Sequence, residues 1–279
     1  MTLERLLQID RRIIFVLMAL AVAIPLITGI TFDPGQTPPT KAVYDYIEGL
    51  KPGSVLVIVF DYGPASMPEL DPMAAALIRH GLSRGLRVVG LTLDIQGAVL
   101  GDDVLNRVGR EMRKESGVDY VNLGYQPGYT AVILGMGEDI GKVFQTDFAG
   151  RPYDELRITR GLRTFKDIGL IVDLASSNTP TTWIAQAHER YNATLATGVT
   201  AVMATDYYPY LQTNQLIGLL NGMKGAAEYE KLVNHPGLGM RGMVAQSISQ
   251  FLIIALVIFG NIVYFISRRR QRRPPGTGG

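Results

Sequence analysis

The chain has no cysteine, and only three histidines and one tryptophan among 279 residues. Without thiols there can be no disulfide, no thiolate metal site and no cysteine nucleophile. The histidines, His80, His188 and His235, stand far apart and lack the H-E-x-x-H or comparable spacing of a zinc site. They read as surface or helix-end residues. Two signatures are also missing, the G-x-S-x-G turn of serine hydrolases and the G-x-x-x-x-G-K-[ST] loop that cradles phosphate. Gly135, Gly137 and Gly141 resemble a dinucleotide loop in spacing alone. No strong first strand precedes them, and no acidic residue closes a following strand, so they read as a glycine-rich helix at a packing contact.

Charge is absent from two long stretches, residues 13–30 and residues 243–266. A helix needs about 20 apolar residues to cross ~30 Å of hydrocarbon, so each stretch is expected to span a membrane. The chain's net charge of +2 divides into +1 for residues 1–12, +5 for residues 267–279 and −4 for everything between. Lys and Arg gather on the cytoplasmic side of membrane helices, which places both ends inside and residues 31–242 outside. The expected order is a cytoplasmic segment 1–12, a transmembrane helix 13–30, an extracytoplasmic domain 31–242, a second transmembrane helix 243–266 and a basic cytoplasmic tail 267–279. Because the basic character sits beside apolar segments and the domain is mildly acidic, nucleic acid is not an expected partner. A lipid bilayer is.

Within the domain, short β-branched runs alternate with longer amphipathic stretches. Residues 54–60, 86–93, 120–123, 168–173 and 199–204 read as strands, the first apolar on both faces as in a buried parallel sheet. Helical stretches follow each, the last expected over residues 211–233. Five β-then-α units predict an α/β fold with a doubly wound, mostly parallel five-stranded sheet, Rossmann-like or flavodoxin-like.

Ligands of open α/β sheets bind beyond the carboxyl ends of the strands. Asp61, Asp94, Tyr125, Asp173 and Asp206 fall at those ends and form the candidate ligand site, suited to a hard cation or to hydroxyl groups. Asp is also a common turn former and helix cap, so the positions alone do not make a site. Their surroundings do not fit an adhesion-type metal site, a two-aspartate phosphatase or a receiver domain. The metal is left open, and no cofactor is expected.

A second set of residues suggests assembly. Gly218, Gly222 and Ala226 recur every fourth residue of the expected last helix, a smooth stripe that invites close approach by the domain's own sheet or by another subunit. Gln250 and Asn261 share one face of the second apolar helix, where an amide in lipid seeks a partner. The leading expectation is a non-catalytic, membrane-anchored subunit of a membrane assembly, packing against copies of itself or other membrane proteins. Two alternatives are an extracytoplasmic ligand-binding sensor and a hydrolase or transferase that uses the strand-end carboxylates with a divalent cation.

Overall fold

In the computed structural model, which describes residues 10–271, the chain forms two units, Asp33–Met240 and the pair of flanking segments Met1–Phe32 and Arg241–Gly279. The expected cytoplasmic segments are covered only in part, since residues 1–9 and 272–279 lie outside the described residues.

The flanking unit contains helix α1, Arg11–Thr28, capped by Asp10, whose carboxylate accepts the Arg12 N–H. This helix stops at Gly29, which takes the left-handed conformation at φ 69° and returns its N–H to the Pro25 carbonyl. At 18 residues it reaches roughly 27 Å, short of the ~30 Å hydrocarbon core. The expectation of two spanning helices is therefore corrected. Among the described residues one helix, Leu238–Ile266, is long and apolar enough to cross a membrane.

The other unit is a three-layer α/β domain. Its elements are α2 (Pro38–Gly49), β1 (Val55–Asp61), α3 (Met67–Ser83), β2 (Arg87–Thr92), α4 (Gly97–Glu111), β3 (Tyr120–Tyr125) and α5 (Tyr129–Glu138). There follow β4 (Ile168–Ala175) and α6, built from Thr179–Trp183, a π-helical turn Ile184–His188 and a last turn Glu189–Tyr191. The domain closes with β5 (Leu195–Val199), α7 (Ala204–Gln212), β6 (Leu219–Asn221) and α8 (Gly222–Leu232), after which α9 runs over Leu238–Gln271.

All strand pairs are parallel, in the order β3-β2-β1-β4-β5-β6. The first three strands step outward from β1, and the chain then crosses back to lay β4 on its other side. Every residue of β1 is buried, because helices cover both faces. One face carries Val57, Val59, Leu91, Leu123 and Ile171 under α5 and α6. The opposite face carries Leu56, Ile58, Phe60, Val172 and Leu220 under α2, α3, α4 and α8.

The sheet has six strands rather than five, and the discrepancy sits in residues expected to form one helix. Leu219–Asn221 is a short edge strand paired with Thr197, Gly198 and Val199, so the helix expected over residues 211–233 is two helices with a strand between. The glycine stripe is therefore not one helix face. Gly218 precedes β6, where a side chain would strike Val43 and the Pro39 carbonyl at 2.4 and 2.6 Å. Gly222 opens α8 at φ 52°, a conformation that favours glycine, with Ala201 and Glu69 each 2.7 Å from where its Cβ would be. Ala226 is buried against the α2, α3 and α4 side of the core. All three thus pack inside their own domain. The fifth strand also begins and ends earlier than its expected span of 199–204, with Ala204 already in α7.

Helix α8 carries two buried glutamates. Glu228 accepts the Thr37 N–H at 3.1 Å and the Thr37 hydroxyl at 2.6 Å, with the Lys224 ammonium 3.7 Å from its other oxygen. Glu230 accepts the backbone N–H groups of Gly237, Gly239 and Met240 at 2.9, 2.9 and 2.8 Å, satisfying donors at the start of α9 that have no intrahelical partner.

Candidate carboxylate site at the carboxyl end of the sheet

The strand order reverses between β1 and β4, the helix after β1 going to one face and the helix after β4 to the other. A crevice opens where consecutive connections diverge in this way. Asp61 is the last residue of β1 and Asp173 lies two residues before the end of β4. Their strands are in register, Val59 beside Asp173 and Asp61 beside Ala175, so the two side chains sit diagonally on one face of neighbouring strands. Both are fully buried.

One side of Asp61 is well provided for. Its Oδ1 accepts the Leu93 N–H at 2.7 Å and lies 3.1 Å from the Thr92 hydroxyl, which is also 2.8 Å from the Phe60 carbonyl. Its Oδ2 has no hydrogen-bond partner, and neither oxygen of Asp173 has one. The Thr179 hydroxyl, in the first turn of α6, lies near enough to ease ionisation of both carboxyls but outside hydrogen-bonding geometry.

Burial therefore dominates the acidity of the pair. It pushes Asp61 up to about 6, against the pull of the Leu93 N–H and the two threonine hydroxyls, with Asp94 adding a like charge. Asp173 is raised well above the usual carboxylate range, first by burial and then by the charge of Asp61. Two carboxyls so placed cannot both ionise cheaply.

Asp94 joins this group electrostatically, while its own Oδ1 accepts the Gln96 N–H at 2.9 Å in a tight turn after β2. Tyr125 and Asp206 are more remote. Tyr125 meets the group through Tyr129, a phenol raised by partial burial and by the charges of Asp61 and Asp94. Asp206 is exposed on α7 and meets it through the buried Tyr207, which is raised by burial, Asp173 and Asp206. The strand register sets Asp61 and Asp173 on one face, while Asp94 sits in the turn after β2 with its carboxylate on the Gln96 N–H, and Tyr125 and Asp206 stand at the margin. Thr92, Thr179, Tyr129 and Tyr207 belong to the site and were not singled out for it by sequence. Their only signal was a hydroxyl within three residues of a strand end or a helix start.

Among the described residues no group of three or more His, Asp or Glu is placed to hold a metal ion. Around this end of the sheet exposed apolar side chains stand among polar ones such as Gln96, Ser177 and Asn178. Ile95 and Val99 after β2, Tyr129 after β3, Phe148 against Gly124, and Val202 and Tyr208 after β5 are all solvent-exposed, Val202 to 85%. Of the remaining sequence candidates, Asn261 spends its amide on its own helix, 2.9 Å from the Val257 carbonyl, and Gln250 is exposed along α9. His80 is buried rather than at the surface, held between Tyr229 and Glu48 at 2.8 and 2.9 Å.

No protein-family model matches this chain, and no curated protein matches it in sequence.

Proposed function

We propose that this chain is a membrane-anchored receptor whose α/β domain binds a small polar ligand between the carboxyl ends of β1 and β4. The observation that carries this reading is the buried pair Asp61 and Asp173, three of whose four oxygens meet no donor. A buried polar atom without a partner costs about 1–3 kcal/mol, and a fold retains such a cost where the group does something else. Helix Leu238–Ile266 supplies the anchor, and the arginines at positions 268–270, 272 and 273 that follow it favour a cytoplasmic tail and an extracytoplasmic domain.

The test is a thermal-shift screen of the full-length protein in mild detergent against cationic, neutral polyol and anionic small molecules. At least one compound should raise the melting temperature of the wild type and leave Asp173→Asn unmoved. If no compound gives an Asp173-dependent shift, the reading is wrong.

The exposed apolar side chains around the site support a second reading, a subunit that docks onto other membrane proteins through this same end of the sheet. A large, homogeneous species in detergent that Val202→Ser breaks down would favour it.

A further inference from the structure

A cavity lies away from Asp61 and Asp173, at the edge of the sheet. Strand β3 ends the strand order, so its outer side has no strand to pair with. A hairpin covers it, in which Thr146 and Pro152 form an isolated antiparallel bridge and the Phe148 N–H donates to the Asn122 carbonyl of β3 at 2.8 Å. Between this hairpin, β3 and α4 is a cavity of about 480 Å³. Ligand pockets run from about 300 to 1,000 Å³, so there is room for a small molecule of one or two rings.

The walls are polar, and hydrogen bonds hold them in place. Asp102 and Asn106 stand one turn apart on α4, where the Asn106 amide donates to Asp102 Oδ2 at 2.8 Å and its oxygen accepts the Tyr120 hydroxyl at 3.0 Å. On the hairpin, Asp147 is ion-paired with Arg151, which also donates to the Ser116 hydroxyl at 2.8 Å. The Asn122 amide donates to the Ala98 carbonyl and accepts the Gly124 N–H, each at 3.0 Å. Burial raises the Asp102 carboxyl, while the Asn106 and Asn122 amides beside it favour its charge. A carboxylate has two oxygens and an amide two N–H groups, and the bond between Asp102 and Asn106 uses one of each. A hydroxyl group fits what is left, because it donates and accepts at once.

Charge and shape narrow the guest further. An anion would meet the carboxylates of Asp102 and Asp147, and a cation would meet the Arg151 guanidinium. A hard metal ion wants more carboxylates than are gathered here, since no group of three or more His, Asp or Glu is placed for one among the described residues. Leu105 and the ring of Phe148, which is 44% exposed, add apolar surface to the same walls. A ring with hydroxyl groups at its rim and C–H groups on its face matches both kinds of wall. We propose that this cavity binds a neutral polyhydroxylated ring, a saccharide or cyclitol, with its hydroxyl groups on Asp102 and Asn106 and its C–H face on Phe148. This site is separate from the one between β1 and β4 and does not depend on it.

The experiment measures binding by calorimetry to the full-length protein in a polyoxyethylene detergent, which carries no sugar. The probes are glucose, galactose, maltose and myo-inositol, with glucosamine and glucuronate as charged counterparts. At least one neutral probe should bind, with affinity falling about tenfold or more in Asp102→Asn, which weakens a charged hydrogen bond, and severalfold in Phe148→Ala. Phe148 is exposed, so its variant separates loss of binding from loss of folding. If no neutral probe binds, or if binding ignores both variants, the proposal is wrong. Tighter binding of glucosamine or glucuronate than of glucose would overturn the neutral class. Binding lost in Asp173→Asn and kept in Asp102→Asn would put the sugar between β1 and β4, and the earlier reading would stand while this one fell.

Discussion

Two regions of this domain bury acids, and they handle them in opposite ways. On α8, Glu228 and Glu230 accept hydrogen bonds from the chain entering and leaving the domain, five in all, and the one Glu228 oxygen without a hydrogen bond has the Lys224 ammonium 3.7 Å away. At the carboxyl end of the sheet, Asp61 and Asp173 leave three oxygens unanswered. Burial is the same in both places, so burial alone does not distinguish structure from function. The supply of donors does. Where the fold provides donors the acid holds the chain together, and where it withholds them the acid is kept for something else.

That contrast can be broken at its structural pole first. Glu230→Ala strands three backbone N–H groups in the interior, and thermal unfolding should show a loss of about 3–5 kcal/mol. A loss below about 1 kcal/mol would mean that water satisfies these donors.

The functional pole should respond to pH in the reverse of the ordinary carboxylate sense. An acid whose folded pKa is raised binds more protons folded than unfolded between the two values, so stability falls as pH rises through that interval. For Asp61 the window runs from its usual 3.8 to about 6, and its contribution to the loss is about 3 kcal/mol, shared with Asp173. Other carboxylates titrate alongside them. Asp33, Glu48 and Glu111 are lowered and pull the opposite way. The measurement is therefore the difference between wild type and the double variant Asp61→Asn, Asp173→Asn across pH 4–8. A flat difference would remove the coupled pair.

At a fixed pH of 7.5, Asp173→Asn alone should raise stability by about 1–2 kcal/mol, because it removes a carboxyl whose ionisation is opposed by burial and by Asp61. Destabilisation of that size would move the pair to the structural side of the comparison. The smallest effect is expected at the rim. Val202→Ser, at an exposed position, should change stability by less than about 0.5 kcal/mol. A larger change would show that the rim is covered in the detergent-solubilised protein, and size measurement would then reveal by how much.

Sequence pattern reached the strand ends but not the environment around them. The apolar run of β1 and the aspartate that closes it were legible because a strand buried on both faces is continuously hydrophobic and stops abruptly, whereas β4 runs two residues past the Asp173 expected to end it. Whether those aspartates converge depends on strand order, which no local pattern encodes. Asp173 neighbours β1 only because the chain crosses back from β3 past β2 and β1. The neighbours Thr179 and Tyr207 arrive by separate crossovers, and a hydroxyl close to a helix start was their only signal. The short strand β6 was read as helix because three residues are too few to show a period of two, and the leucines around it mimic a helical face. The first apolar helix was read as a crossing because composition measures length in residues and does not see a left-handed glycine ending the helix at Thr28.

The two glutamates of α8 also set where this domain can be cut and rejoined. Residues two apart on one helix lie about 5–6 Å from each other along the backbone. Because one holds Thr37 and the other holds residues 237–240, the points where the polypeptide enters and leaves the fold are tied to opposite sides of one helix. A glycine-rich linker long enough to pass around α8 could join them, and new termini could be opened in an exposed turn such as the one at Gly150. The circular permutant would retain every strand pairing, and the carboxyl end of the sheet would be left as it is.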